Sequence, residues 1–380
     1  MLYGLMSYKY TINLGNEIQS IAARRFLPKI DYYIDHEEIH LFENSQDVKL
    51  IMNGWYLDCL DAWPPSRDID PLLISMHFNT SVNDTKEIIL SQKSKDYFST
   101  YGPVGCRDYP TLELLQENNI DAYYSGCLTL TLESPKLKND YEYVIVNSNN
   151  SKEIIDYLKT KTDLPIYDIN QMTMLSYEKK YLDNPRLNQK LTSFYNMDEK
   201  FLMAENLLNI YDNATCVITD RIHAAFPSLG LETPILFIND AEYGLERLEG
   251  ISQLVRETTL DEYKKDYSIF DVENPPQNPK HYLKLRKDLI NKAKNFTGYI
   301  NKDYLSYSST KQDLENKVLI SKVNLETRKY MQNANRINSK NVKKIKAQEE
   351  KIKKLEERIS ELESQNKSSF RFFRKNKCLL

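Results

Sequence analysis

ATCVITDRIHAAFP, residues 214–227, decides the fold. Thr215 to Thr219 form an apolar, β-branched run, the composition of a strand buried on both faces. The chain then passes through Asp220, Arg221, Ile222 and His223 into a helical stretch, Ala224–Gly230. A second apolar run, TPILFI at 233–238, follows at once. Strand, helix and strand in direct succession make a βαβ unit, and such units build parallel sheets.

The same alternation extends upstream. The spacing predicts strands at 143–146 and 164–169 and helices at 152–161 and 199–212. It also fills the N-terminal third, with strands at 2–6, 31–34, 48–52, 72–76, 104–106 and 122–125. Helices are predicted there at 17–26, 85–97 and 111–118. A polar stretch, ESPKLKND at 133–140, separates the two series. The expected fold class is therefore α/β, with two Rossmann-like domains facing each other across a cleft. The expected boundaries are 1–135 and 140–305, with amphipathic helix over about 279–307, then a helical extension at 310–366 and a basic aromatic tail at 367–380. A chain of 380 residues has room for two domains and more.

In the extension, Ile345, Ile352 and Ile359 repeat every seven residues, Leu355 and Leu362 fill alternate positions, and Gln348 spoils one. That pattern predicts a short coiled coil over 340–365 that joins copies of the chain, against the plainer reading of a single solvated helix. In the tail, Lys367, Arg371, Arg374, Lys375 and Lys377 interleave with Phe370, Phe372 and Phe373. Basic and aromatic residues together suit an anionic membrane surface. The alternative is a soluble tail. Cys378 stands too near the end for a prenylation box.

Composition removes several function classes. Lys+Arg number 51 against 54 Asp+Glu, a net charge of −3, so a nucleic-acid protein held by phosphate contacts is not expected. There are 10 glycines and neither a P-loop nor a GxGxxG fingerprint. The five cysteines, Cys59, Cys106, Cys127, Cys216 and Cys378, form no CxxC pair and predict neither a disulfide framework nor a zinc site. The start of the chain lacks the pattern of a signal peptide, and no apolar run approaches the roughly 20 residues of a membrane span. Asn-x-Ser/Thr triplets at 79–81 and 213–215 read as chance in so Asn-rich a chain. A cytoplasmic location is expected.

Three motifs sit where parallel sheets place ligands, at the carboxyl ends of strands. The first is NLGNEIQ at 13–19, where Gly15 lets backbone approach a ligand and Asn16 and Gln19 present amides. Its plain alternative is an Asn helix cap with a turn glycine. The second is GPVGCRDYPT at 102–111, with Arg107 and Asp108 at the end of a short strand. A guanidinium matches carboxylate and phosphate; the alternative is a pair that fixes the loop. Downstream of it, SGCLTLTL at 125–132 ends the first domain. The third motif is the opening stretch, where Arg221 and His223 can converge on one ligand, unless His223 is structural.

Together, Asn13-x-Gly15-Asn16-x-x-Gln19, Gly105-x-Arg107-Asp108, Ser125 to Leu132 and Thr219-Asp220-Arg221-x-His223 resemble the polysaccharide pyruvyl transferase family, over about residues 14–237. The resemblance implies a GT-B-like pair of domains with the site between them. It also implies transfer of the enolpyruvyl group of phosphoenolpyruvate to a sugar, with no metal cofactor. On that basis Arg221, Arg107 and Asn16 are expected to bind the donor. His223 is expected to protonate it, since imidazole titrates near working pH. Asp220 or His77 would be the base. Asn13, Gly15, Gln19, Asn53, Trp55 and His77 are placed on the acceptor side. The turn Asn53-Gly54-Trp55 departs from the glycine-rich turn of many relatives; Trp55 is either a platform for a sugar ring or core. Two other readings stay open, a GT-B glycosyltransferase using a nucleotide sugar and a non-enzymatic scaffold working through its coiled coil. If the extension docks the enzyme on the membrane, deleting 340–380 abolishes sedimentation with anionic vesicles; unchanged sedimentation contradicts that role.

Overall fold

The computed structural model describes residues 1–57, 60–81, 83–135, 142–173, 175–176, 192–193, 195–240, 250, 253–305 and 311–376. Cys59, Cys378 and Lys377, and most of the loop at 240–250, lie outside the described residues.

The first sheet contains β1 (Leu2–Ser7), β2 (Tyr32–Asp35), β3 (Val48–Tyr56), β4 (Ile69–Phe78), β5 (Val104–Cys106) and β6 (Ala122–Tyr124). All neighbours are parallel, in the order β2-β1-β3-β4-β5-β6. The connecting helices are α1 (Gly15–Arg24), α2 (Asn83–Ile89), α3 (Gln92–Tyr101) and α4 (Tyr109–Glu117). The single helix expected over 85–97 is two. Ser91 ends the first turn series by donating to Ile88 O and starts the next by accepting from Ser94 N. A serine that bonds its own neighbourhood competes with helix continuation, and the apolar pattern does not register this.

The second sheet contains β7 (Val144–Asn147), β8 (Ile166–Asp168), β11 (Cys216–Thr219), β12 (Ile235–Ile238) and β13 (Glu257–Thr258), also all parallel, in the order β8-β7-β11-β12-β13. A two-residue pair, β9 (Leu175–Ser176) with β10 (Thr192–Ser193), stands apart from both sheets. The helices here are α5 (Ser151–Leu158), α6 (Met197–Asn213), α7 (Ile222–Gly230), α8 (Leu260–Lys265) and α9 (Tyr282–Thr297). In each sheet the first strand lies between the second and third. That order creates a switch point, at β1/β3 and at β7/β11, where the connections leave in opposite directions and open a crevice.

One core joins the two sheets. Leu5, Ile18 and Ile21 share a buried cluster with Tyr143, Leu208 and Phe226, and residues 1–325 form one compact unit. Helix α1 lies in the middle of it, buried from Gly15 to Ala23 except at Asn16. The motif at 125–132 supplies the filler. Its 3₁₀ turn, Leu128–Thr131, packs against α1, α7 and α9. Gly230 is glycine because a Cβ there would lie 2.7 Å from Thr129 O. Arg25 donates to Thr131 O, Arg286 donates to Leu132 O at 3.0 Å, and both pair with Glu133. Outer cores cover the far faces of the sheets, around Trp63 and Phe78 in the first and Tyr263 and Phe270 in the second.

A single helix, α10 (Lys311–Asn376), closes the described chain. Its start packs into the first unit through Leu314 and Leu325, and residues 326–380 form a second unit. The backbone is helical through the predicted heptads and through 367–376 of the basic tail, and Ile352 and Leu355 are exposed in the single chain.

The centre of the shared core is charged. Glu17 on α1 and Lys200 on α6 pair at 2.6 Å with both side chains 3% exposed. Burial pushes the Glu17 carboxyl up and the Lys200 ammonium opposes the shift. Lys200→Ala leaves a buried carboxylate alone and is expected to cost about 3–5 kcal/mol in urea unfolding. Lys200→Met combined with Glu17→Gln is expected to recover most of that loss.

Candidate active site

The loop leaving β1 is held from the other half of the unit. Asn13 forms an antiparallel bridge with Met172, Leu14 N donates to Gln171 O at 2.9 Å, and Thr173 N donates to Ile12 O at 2.7 Å. Asn13 Oδ1 accepts from Gly15 N at 3.0 Å and from Gln171 Nε2 at 2.7 Å. Asn13 is thus a junction between the halves. Gly15 meets the third motif directly. A Cβ on Gly15 would lie 2.6 Å from His223 Nδ1 and 2.8 Å from His223 Cβ. Only a residue without a side chain lets the imidazole lie on this backbone.

From that contact a polar chain runs inward. Asn16 donates to Thr11 Oγ1 at 3.3 Å and accepts from Gln19 Nε2 at 3.4 Å. Gln19, fully buried, accepts from Arg107 Nη1 at 3.1 Å through Oε1. The same Arg107 nitrogen lies 3.3 Å from His223 Nε2. A guanidinium has donors only, so Nε2 accepts there and a neutral His223 carries its proton on Nδ1. Asn53 lies beneath this chain. It is fully buried and braces α1 by donating to Gln19 O at 2.8 Å.

His77 reaches the site through a bulge. In β4, Leu73 pairs with Met52 but Met76 pairs with Gly54, so β4 carries one extra residue there. Ser75, at φ 55°, lies in that interval. Ile69 and Leu73 face the outer core, and so do Met76 and Phe78, which unbroken alternation would have turned the other way. The extra residue therefore moves His77 onto the α1 face, as bulges near active sites re-aim side chains. Ser125, at the start of SGCLTLTL, accepts from Ser75 N at 3.1 Å and ties down the backbone of the bulge. His77 Nδ1 lies 2.5 Å from Asp108 Oδ2, and the Trp55 and His77 rings meet nearly at right angles with centroids 5.0 Å apart. Asp108 also caps α4 by accepting from Thr111 N at 3.0 Å. Burial alone would raise its carboxyl, but the His77 bond, Arg107 and Thr111 together hold it below the usual carboxylate range.

In the second half, Asp220 and Arg221 stand at the β7/β11 switch point. Asp220 Oδ2 accepts from Ser148 Oγ at 3.1 Å and from Asn149 N at 2.8 Å, and Oδ1 lies 3.2 Å from Arg221 Nε. Arg221 also donates to Asn149 Oδ1, while its backbone N bonds Thr219 Oγ1 at 2.9 Å. Asp220 is thus an anchor that aims Arg221, which remains partly exposed. Arg221 is the cap of α7, whose N-terminal amides favour an anion.

The structure therefore brings Asn13, Gly15, Asn16, Gln19, Arg107 and His223 into one connected group, with Asp220 and Arg221 three and two residues before His223. His77 joins through Asp108 beside Arg107, and Trp55 through His77. Sequence reasoning missed Gln171, Ser148 and Asn149. The polar run NSNN at 147–150 after a buried strand was a usable signal for the last two; nothing local marks Gln171. Among the described residues, no group of three His, Cys, Asp or Glu side chains is placed to hold a metal ion. Among them, no helix is long and apolar enough to cross a membrane.

A family model described as polysaccharide pyruvyl transferase matches residues 13–241. No curated protein matches. Among solved structures, the chain is similar to a functionally uncharacterised protein of Klebsiella pneumoniae, at 14% identity and TM-score 0.38, covering 66% of this chain and 88% of that one.

Gly15→Ala is expected to displace the His223 ring. Turnover should fall by two orders of magnitude or more while the thermal midpoint moves by only a few degrees, a split that steady-state kinetics and calorimetry measure together.

Proposed function

The chain belongs to the polysaccharide pyruvyl transferase family, and we propose that it uses phosphoenolpyruvate to place a pyruvate ketal on one sugar of a surface polysaccharide or lipid-linked precursor. The observation that carries this reading is the meeting of Arg107 and His223 from opposite sheets, with Arg221 at the start of the same helix. Phosphoenolpyruvate offers a carboxylate and a phosphate, and two guanidiniums at one crevice suit two anionic groups.

The chemistry follows from those groups. Arg107 donates to His223 Nε2. A donor anion draws the guanidinium onto itself and leaves Nε2 able to carry a proton. His223 then protonates the methylene carbon, C3, and positive charge develops at C2. A first sugar hydroxyl attacks C2 and loses its proton, giving a phosphorylated ketal. The C2–O bond to phosphate breaks, phosphate leaves with the bonding pair, and the second hydroxyl closes the ketal with loss of its proton. One of the two guanidiniums, Arg107 or Arg221, holds the phosphate as it leaves, and the other holds the carboxylate. Of the two bases considered, Asp220 is occupied by Ser148, Asn149 and Arg221. His77, oriented by Asp108, is the better placed. The coiled-coil segment and basic tail would join copies and hold the enzyme against an anionic membrane face, where a lipid-linked acceptor lies.

A thermal shift with phosphoenolpyruvate, set against UDP- and GDP-sugars, tests the donor. Stabilisation by phosphoenolpyruvate alone is expected, lost in Arg221→Ala and Arg107→Ala; each removes a partner of a bound anion, typically about 2–5 kcal/mol. His223→Ala should keep the shift and lose turnover. Stabilisation by a nucleotide sugar alone contradicts the reading and makes Arg221 a diphosphate ligand.

A further inference from the structure

Helix α10 is helical without a break from 344 to 363. Taken in heptads, Ile345, Ile352 and Ile359 hold the first seam position, a, and Gln348, Leu355 and Leu362 the second, d. Ile352 is 55% exposed and Leu355 63% exposed in the single chain. Three residues apart on a helix, they lie on one stripe, and burying that stripe against a partner removes apolar surface from water.

The seam's composition sets the number of strands. Isoleucine at a with leucine at d favours two parallel helices over three or four. Gln348 sets the register. In phase, it meets Gln348 of the second copy, amide to amide. A slip of one heptad sets it against Leu355 and leaves a buried amide unpaired.

Charge sets the direction. The g positions, each just before an a residue, are Lys344, Lys351 and Arg358; the e positions, each just after a d residue, are Glu349, Glu356 and Glu363. Every g is basic and every e is acidic. In two parallel helices in register, g of one chain lies beside e of the next heptad on the other. Lys344 then faces Glu349 of the second copy, and Lys351 faces Glu356 of the second copy. In antiparallel helices g faces g and e faces e, so cations meet cations and carboxylates meet carboxylates. On the outer positions the signs are mixed, with Lys346, Lys353 and Lys354 beside Glu350 and Glu357. A single solvated helix gains from opposite charges four residues apart on any face. It requires neither this separation of signs nor an isoleucine and a leucine in water.

We propose that residues 344–363 pair with a second copy of this chain as a parallel, in-register, two-stranded coil, directed by Lys344 and Lys351 against Glu349 and Glu356. By chain connectivity, the two basic tails at 367–380 then leave the coil at the same end. The inference rests on the joining of copies read above and gives it a strand number, a direction and a register. It does not depend on the donor.

Sedimentation equilibrium of the full-length protein over a wide concentration range tests the pairing. A species of twice the chain mass is expected. Glu349→Lys with Glu356→Lys sets cation against cation and is expected to raise the dimer dissociation constant roughly tenfold or more. Adding Lys344→Glu and Lys351→Glu to that variant exchanges the signs and is expected to restore the dimer. An antiparallel pair already sets like against like and would not respond to the first change. Register is read by Gln348→Cys in a chain that also carries Cys59→Ser and Cys378→Ser; Cys106, Cys127 and Cys216 are buried. Air oxidation is expected to give a disulfide-linked dimer on a non-reducing gel, since only an in-register parallel pair brings the two thiols together. A monomer at every concentration overturns the proposal together with the joining of copies, and leaves the seam to a different chain. A dimer indifferent to the first charge reversal, or one that forms no disulfide, overturns the proposal and keeps the joining. The phosphoenolpyruvate thermal shift, read on the same preparations, reports on the donor separately.

Discussion

Helix α1 is buried between the two sheets, and the rest of the site follows from how its polar residues are paired. Such a helix cannot leave a charge or amide unmatched without a cost of several kcal/mol. Three of its polar side chains are matched by three different elements. Glu17 takes Lys200 of α6, Gln19 takes Arg107 beyond β5, and Ser20 donates to Met6 O of β1 at 2.8 Å. Gly15, at its first turn, takes the His223 ring of α7. The pairing that keeps α1 in the core therefore also delivers Arg107 and His223 to each other.

The alternation of strands and helices was legible because each element declares itself over a few residues. The buried run at 215–219 and its partner at 233–238 needed no tertiary context. Ser91, which splits one expected helix into two, was not legible, since a serine on an otherwise periodic stretch carries no apolar signal. The joining of the two series into one core was also hidden. Its contacts pair residues such as Arg25 with Glu133 and Glu17 with Lys200, which lie more than a hundred positions apart.

The candidate site was legible in its residue types and less so in their roles. Arg107 and Arg221 stood out as cations at strand ends and His223 as an imidazole beside one of them, and Arg107 and His223 meet. Asn13 and Asn53, read as acceptor-side residues, serve first to tie α1 and the 170–173 segment in place. Asp220 aims Arg221. The bulge at Ser75 that turns His77 inward has no sequence signature, and Ser125 reveals its purpose only once that bulge is seen.

The central claim is that His223 protonates the methylene carbon of phosphoenolpyruvate before a sugar hydroxyl attacks C2. Running the transfer in deuterium oxide and examining the methyl group of the product ketal by mass spectrometry and NMR tests it most directly. The account predicts one deuterium in that methyl group, equimolar release of phosphate, and no product from His223→Ala. A methyl group free of deuterium, or normal turnover by His223→Ala, would contradict it.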